Sequence, residues 1–112
     1  MKVRVFIDTN VLLAGLASSE GASNAILTLA EAELLTLALS EEVLLEAERI
    51  LEDKLPEALP LYRRWLASCP LEKVASPSRE EVVRAAQIIH AKDAAILAAA
   101  VSAQVDYLVT LD

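Results

Sequence analysis

Apolar and polar positions fall into blocks along the chain, and the period within each block predicts an element. Val5, Phe6 and Ile7 form an unbroken apolar run, the pattern of a strand covered on both faces in a parallel sheet. It stops at Asp8, Thr9 and Asn10, all good helix caps, and the apolar run that follows predicts a short helix over 10–17 capped by Thr9 or Asn10. After a polar turn at 18–21, Ser23 predicts the cap of a second helix over 24–32, with Ile26, Leu27, Leu29 and Ala30 at helical spacing. The apolar segment 34–39 reads as a second strand. Ser40, with Glu41 and Glu42 in the first turn, predicts a long helix reaching Lys54 and stopped by Pro56. Val43, Ala47, Ile50 and Leu51 share one face of it, and Glu46 lies about 60° from the centre of that face, bordering the core.

Pro56 and Pro60 bracket a loop or broken turn before a helix over 61–68, which turns Tyr62, Trp65 and Leu66 inward and Arg63 and Arg64 outward. Residues 71–75 predict a short edge strand with Lys73 facing solvent. Ser78 and Glu81 have the spacing of a capping box and predict a helix over 79–89. Residues 90–93 form a joint. The segment 94–103 is almost entirely small or aliphatic, which predicts a helix buried on most sides with Asp93 at its first turn. A turn at 104–106 leads into an apolar strand over 107–110, followed by Leu111 and Asp112. Strands alternating with helices in this way predict an α/β fold around a parallel sheet.

Composition narrows the picture in three ways. A chain of 112 residues with 55% hydrophobic positions, mostly Ala, Leu, Val and Ile, predicts one domain with an aliphatic core that is neither disordered nor disulfide-dependent. The single cysteine, Cys69, cannot form an internal disulfide and fits a reducing cytoplasm; before Pro70 it reads as inert packing. No apolar run approaches a membrane span, and the first strand begins too early for a signal peptide, so the expectation is a soluble intracellular protein without a membrane partner. The net charge of −7 argues against a nucleic-acid binder with the usual basic surface, although local arrangement outranks the sum. It leaves open one in which metal ions neutralise a cluster of acids.

Such a cluster is visible in outline. Asp8 closes the first strand, Asp112 the last, and Asp93 opens the helix leading into that last strand. If the first and last strands are neighbours, all three carboxylates meet at the carboxyl edge of the sheet, where α/β folds bind ligands. Glu46 or Glu42 is placed to join them. Oxygen-only ligation suits Mg²⁺ or Mn²⁺, and with one His and one Cys there is no zinc spacing.

In this order and spacing the blocks resemble the PIN-domain ribonucleases, which include the VapC-type toxins of toxin–antitoxin pairs. The residues concerned are 5–12 (Val-Phe-Ile-Asp-Thr-Asn-Val-Leu), 40–51 from Ser40 through Glu46 to Leu51, 93–100 beginning at Asp93, and 106–112 ending at Asp112. The resemblance covers the whole chain. It implies a three-layer α/β/α fold with a central, mostly parallel sheet of four or five strands, and a metal-dependent endoribonuclease. It further implies Asp8, Glu46, Asp93 and Asp112 as catalytic and metal-holding residues, with Thr9, Asn10 and Thr110 orienting them. By the same resemblance the protein is a cytoplasmic homodimer silenced by a cognate antitoxin. Arg4, Arg63, Arg64 and Lys92 are candidate phosphate contacts. Two departures stand out: His90 occupies a position where many relatives carry a further acid, and relatives continue for another strand and helix beyond the fourth block. They motivate an alternative, a catalytically weak or inactive binding or assembly module with this fold. A third reading, an aspartyl-phosphate phosphatase with Asp8 as nucleophile, meets Asn10 where such enzymes often place a second Asp.

Overall fold

A computed structural model describes residues 2–89 and 91–111, without the side chains of 91 and 92; the expectations at His90, the Lys92 side chain and Asp112 lie outside the described residues. Four strands form one sheet in the order β3-β2-β1-β4: β1 (Arg4–Ile7), β2 (Thr36–Ser40), β3 (Leu71–Val74) and β4 (Tyr107–Val109). Every pairing is parallel. Phe6 sits at the centre, level with Ala38 of β2 and Leu108 of β4.

The connections place the helices. α1 (Thr9–Ala17) and α2 (Ala22–Glu31) lead from β1 to β2; α3 (Glu41–Lys54), a 3₁₀ turn at Pro56–Ala58 and α4 (Leu59–Ser68) lead on to β3. α5 (Arg79–Ala86) and α6 (Ala91–Ser102) then carry the chain back across the sheet to β4. Because right-handed crossovers that reverse direction must use the other face, α5 and α6 lie opposite α1–α4, which gives three layers. The core matches the expected aliphatic one: Phe6, Ile7, Val11, Leu12, Leu37, Leu39 and Val43 are all at or below 1% exposure. Tyr62 is buried among them and donates its hydroxyl to the Leu44 carbonyl at 3.0 Å. Gly15 is where α1 and α2 meet most closely; a Cβ there would stand 2.6 Å from Leu27 Cδ1 and 3.0 Å from the Ser23 carbonyl oxygen.

Several element ends differ from the sequence reading, each for a local reason. α1 is capped by Asp8 rather than Thr9 or Asn10, and α2 by Gly21, whose φ of 96° suits glycine, rather than by Ser23. β2 starts at Thr36 because Leu34 still belongs to the end of α2, its N–H bonding the Leu29 carbonyl past Glu33 at φ 61°. α4 begins at Leu59, taking Pro60 into its first turn, where a missing N–H does no harm. α5 ends at Ala86, not near Ile89, and α6 begins at Ala91. α6 is also less enclosed than its sequence predicts, with Val101 67% exposed, because the short α5 covers only one side of it. The Ser40 cap and the Ser78–Glu81 capping box form as expected. Cys69 is buried, and burial pushes its thiol up to about 11, so it is inert packing.

Candidate active site

At the carboxyl end of β1 the sheet parts, with β2 leaving over one face and β4 arriving from the other, and a cleft of about 230 Å³ opens there. Asp8, Asn10, Asp93 and Thr110 contribute its polar lining. Its other side is a wall of Ile89, Ile96, Leu97, Leu108 and Leu111.

Asp8 is fixed by the backbone on both sides of it. Its N–H donates to the Val109 carbonyl at 3.2 Å, continuing the β1–β4 ladder, and its Oδ1 accepts from the Val11 N–H at 3.0 Å as the cap of α1. Burial pushes the Asp8 carboxyl above the ordinary carboxylate range; the Val11 N–H pulls it down, the charge of Asp93 pushes it up again, and the Leu111 and Asn10 N–H groups pull against that. Asp93 arrives from the first turn of α6. Two acids from opposite ends of the chain therefore face one small space. A carboxyl held above its usual range by burial and by a second acid takes up positive charge, as a proton or as a cation. The oxygens of Asp8, Asp93, Asn10 and Thr110 are the hard donors that Mg²⁺ or Mn²⁺ prefers.

The remaining sequence candidates fall elsewhere. Glu46 is exposed on α3, 4.0 Å from Arg49, and does not line the cleft; Glu42 is exposed as well. Thr9 is buried beneath the site at 5% exposure instead of lining it. Asp112 lies outside the described residues, although Leu111 before it lines the cleft. Among the described residues no three acid, His or Cys side chains converge as a metal cage. Arg4 is no phosphate contact: it sits at the other end of β1, held by Glu72 and by the Ala103 and Gln104 carbonyls. Arg63 pairs with Glu48 at 3.5 Å, and Arg64 lines a different groove beside Trp65. The apolar wall was missed, yet Ile96 and Leu97 follow Asp93 by three and four residues, the spacing that puts side chains on one helix face.

Comparison with known proteins bears on this arrangement. A family profile described as "PIN domain" matches residues 4–112. Among solved structures, the chain is similar to that titled "Crystal structure of PAE2754 from Pyrobaculum aerophilum", with 23% identity and a TM-score of 0.72 over 100% of this chain and 83% of the other. At that identity the likeness is one of fold. Comparison with curated proteins finds no match.

Proposed function

Because the chain belongs to the PIN domain family, whose members are in general nucleases, we propose that it is a metal-dependent endoribonuclease hydrolysing RNA phosphodiester bonds, the toxin half of a toxin–antitoxin pair. The observation that supports this most is the meeting of Asp8 and Asp93 in one cleft at the carboxyl end of β1. In this reading Asp8 and Asp93 would hold Mg²⁺ or Mn²⁺, with Asp112 joining them, whereas Glu46 lies outside the cleft beside Arg49. Asn10 and Thr110 orient the acids, with Thr9 supporting them from beneath. Bound there, a divalent ion supplies activation of water and neutralisation of charge at the phosphate. Ile89, Leu97 and Leu111 give the cleft one apolar side, with Ile89 and Leu111 themselves open to solvent. Charge neutralisation at the acids also reconciles a polyanionic substrate with a chain of net charge −7. The protein acts in the cytoplasm as a homodimer restrained by a cognate antitoxin. Among the described residues no helix is long and apolar enough to cross a membrane.

Asp8→Asn and Asp93→Asn should each abolish Mn²⁺-dependent cleavage of single-stranded RNA, and equal cleavage by wild type and variants would overturn the assignment. A second reading, a binding or assembly module of the same fold without turnover, is favoured by the exposure of Glu46 and its proximity to Arg49. Thermal melting separates the two. A working site gains about 2.7 kcal/mol when metal stands a hundredfold above its dissociation constant, whereas an inert module shows no shift.

A further inference from the structure

The cleft at the end of β1 joins two surfaces of opposite character. On one side stand Asp8, Asn10, Asp93 and Thr110; on the other are Ile96 and Leu97 of α6, Leu108 of β4, and Ile89 and Leu111 beside them. The junction is built into the helix, because Ile96 and Leu97 follow Asp93 at the spacing that stacks side chains on one face. Ile96, Leu97 and Leu108 are half-buried, whereas Ile89 and Leu111 are 37% and 46% exposed. Apolar lining beside a few convergent polar groups is the usual make-up of a ligand site.

We propose that this apolar wall seats the flat face of one unpaired nucleobase, belonging to the nucleotide next to the phosphate engaged at Asp8 and Asp93. The assignment deepens the reading above and rests on it for that phosphate. Charge favours a base as the occupant. None of the described residues lining the cleft is basic, so the contacts that usually dominate affinity for a nucleic-acid backbone are missing from this lining. In a chain of net charge −7, contact with the neutral part of the nucleotide supplies what charge does not. Solvation points the same way. A ribose hydroxyl or a phosphate set against Leu97 and Leu111 would give up water without gaining a hydrogen bond, whereas the face of a base packs on apolar side chains. Reach is short, since acids and wall share one cleft of about 230 Å³ and the base is covalently tied to the phosphate. A base within a duplex has both faces covered by its neighbours, so the wall selects strands that are unpaired at this position. Ile89, Leu97 and Leu111 offer no hydrogen bond and leave the edges of the base unread.

Ile89→Ala and Leu111→Ala, both at partly exposed positions, should each lower kcat/KM on a short single-stranded RNA by at least about threefold. With one abasic nucleotide beside the scissile bond, tried on each side in turn, wild type should lose a similar factor at one of the two positions. There the substitutions should cost nothing further, because the contact they remove is already gone. Binding is read separately, by methyl NMR of the whole chain in Mg²⁺ with a short oligouridylate and with its abasic counterpart. The methyl resonances of Ile89, Leu97 and Leu111 should move with the first strand and stay in place with the second. Such shifts without any cleavage would uphold the base site and end the nuclease reading. The proposal is overturned by equal methyl shifts from both strands, by no shift at these methyls up to the highest attainable concentration, or by substitutions that cost as much on abasic as on intact RNA.

Discussion

Asp8 carries two duties that conflict. Its oxygen caps α1 through the Val11 N–H, which any oxygen-bearing cap could do, while its charge is opposed by burial and by Asp93. Asp8→Asn keeps the cap and removes the charge. In metal-free protein it should raise stability by up to about 1 kcal/mol, the cleft being partly open to solvent, as urea unfolding would show. The pH dependence follows from the direction of the shift. A carboxyl raised in the folded state contributes fully below its ordinary value, and that contribution is lost as pH rises through the raised one. The advantage of the variant should accordingly appear near neutral pH and vanish in acid. A variant less stable than wild type at neutral pH would mean that the contacts of the carboxylate outweigh its repulsion.

At the scale of elements, the ends of helices hold most of what can still be improved. α6 closes at Gln104, which adopts φ 54° so that the Val105 N–H can turn back to the Ala100 carbonyl. Gln104→Gly should raise stability by about 1 kcal/mol, read as a higher urea midpoint with an unchanged slope. Such ends also explain what the sequence could tell. α3 was legible from Ser40 to Lys54 because both its cap and its stop are local chemistry. The start of α2 and the end of α5 were not: α2 is capped by Gly21, with no side-chain hydrogen bond, rather than by Ser23, and α5 stops at Ala86 rather than near Ile89. Asp8, Asp93 and Thr110 were legible as site candidates through their places at strand and helix ends, and the cleft gathers them. Glu46 illustrates the limit: helical phase put it at the border of the core but could not say which neighbour it faces, and it lies near Arg49. Periodicity likewise marks an apolar face without saying what covers it, which is why Val101 was expected to be inside.

Across the whole molecule, Arg4 is the tie. Its backbone N–H donates to the Asp106 carboxylate at 2.7 Å, its guanidinium grips Glu72 of β3, and it donates to the Ala103 and Gln104 carbonyls beyond α6. The hydrogen bond from Arg4 holds the Glu72 carboxyl below its ordinary range. A lowered carboxyl contributes stability above its ordinary value and loses it as pH falls through the lowered one. Arg4→Met should therefore lower the melting temperature at neutral pH and much less at strongly acid pH; an equal loss at both would assign the role of Arg4 to its carbonyl contacts alone. The same tie has a temporal side. Arg4 and Asp106 stand 102 residues apart, and β1, β2 and β3 can assemble on a growing polypeptide long before β4 leaves the ribosome. Such an incomplete sheet has neither Asp93 nor Thr110 beside Asp8. Whatever chemistry those groups perform thus waits until β4 has joined the sheet.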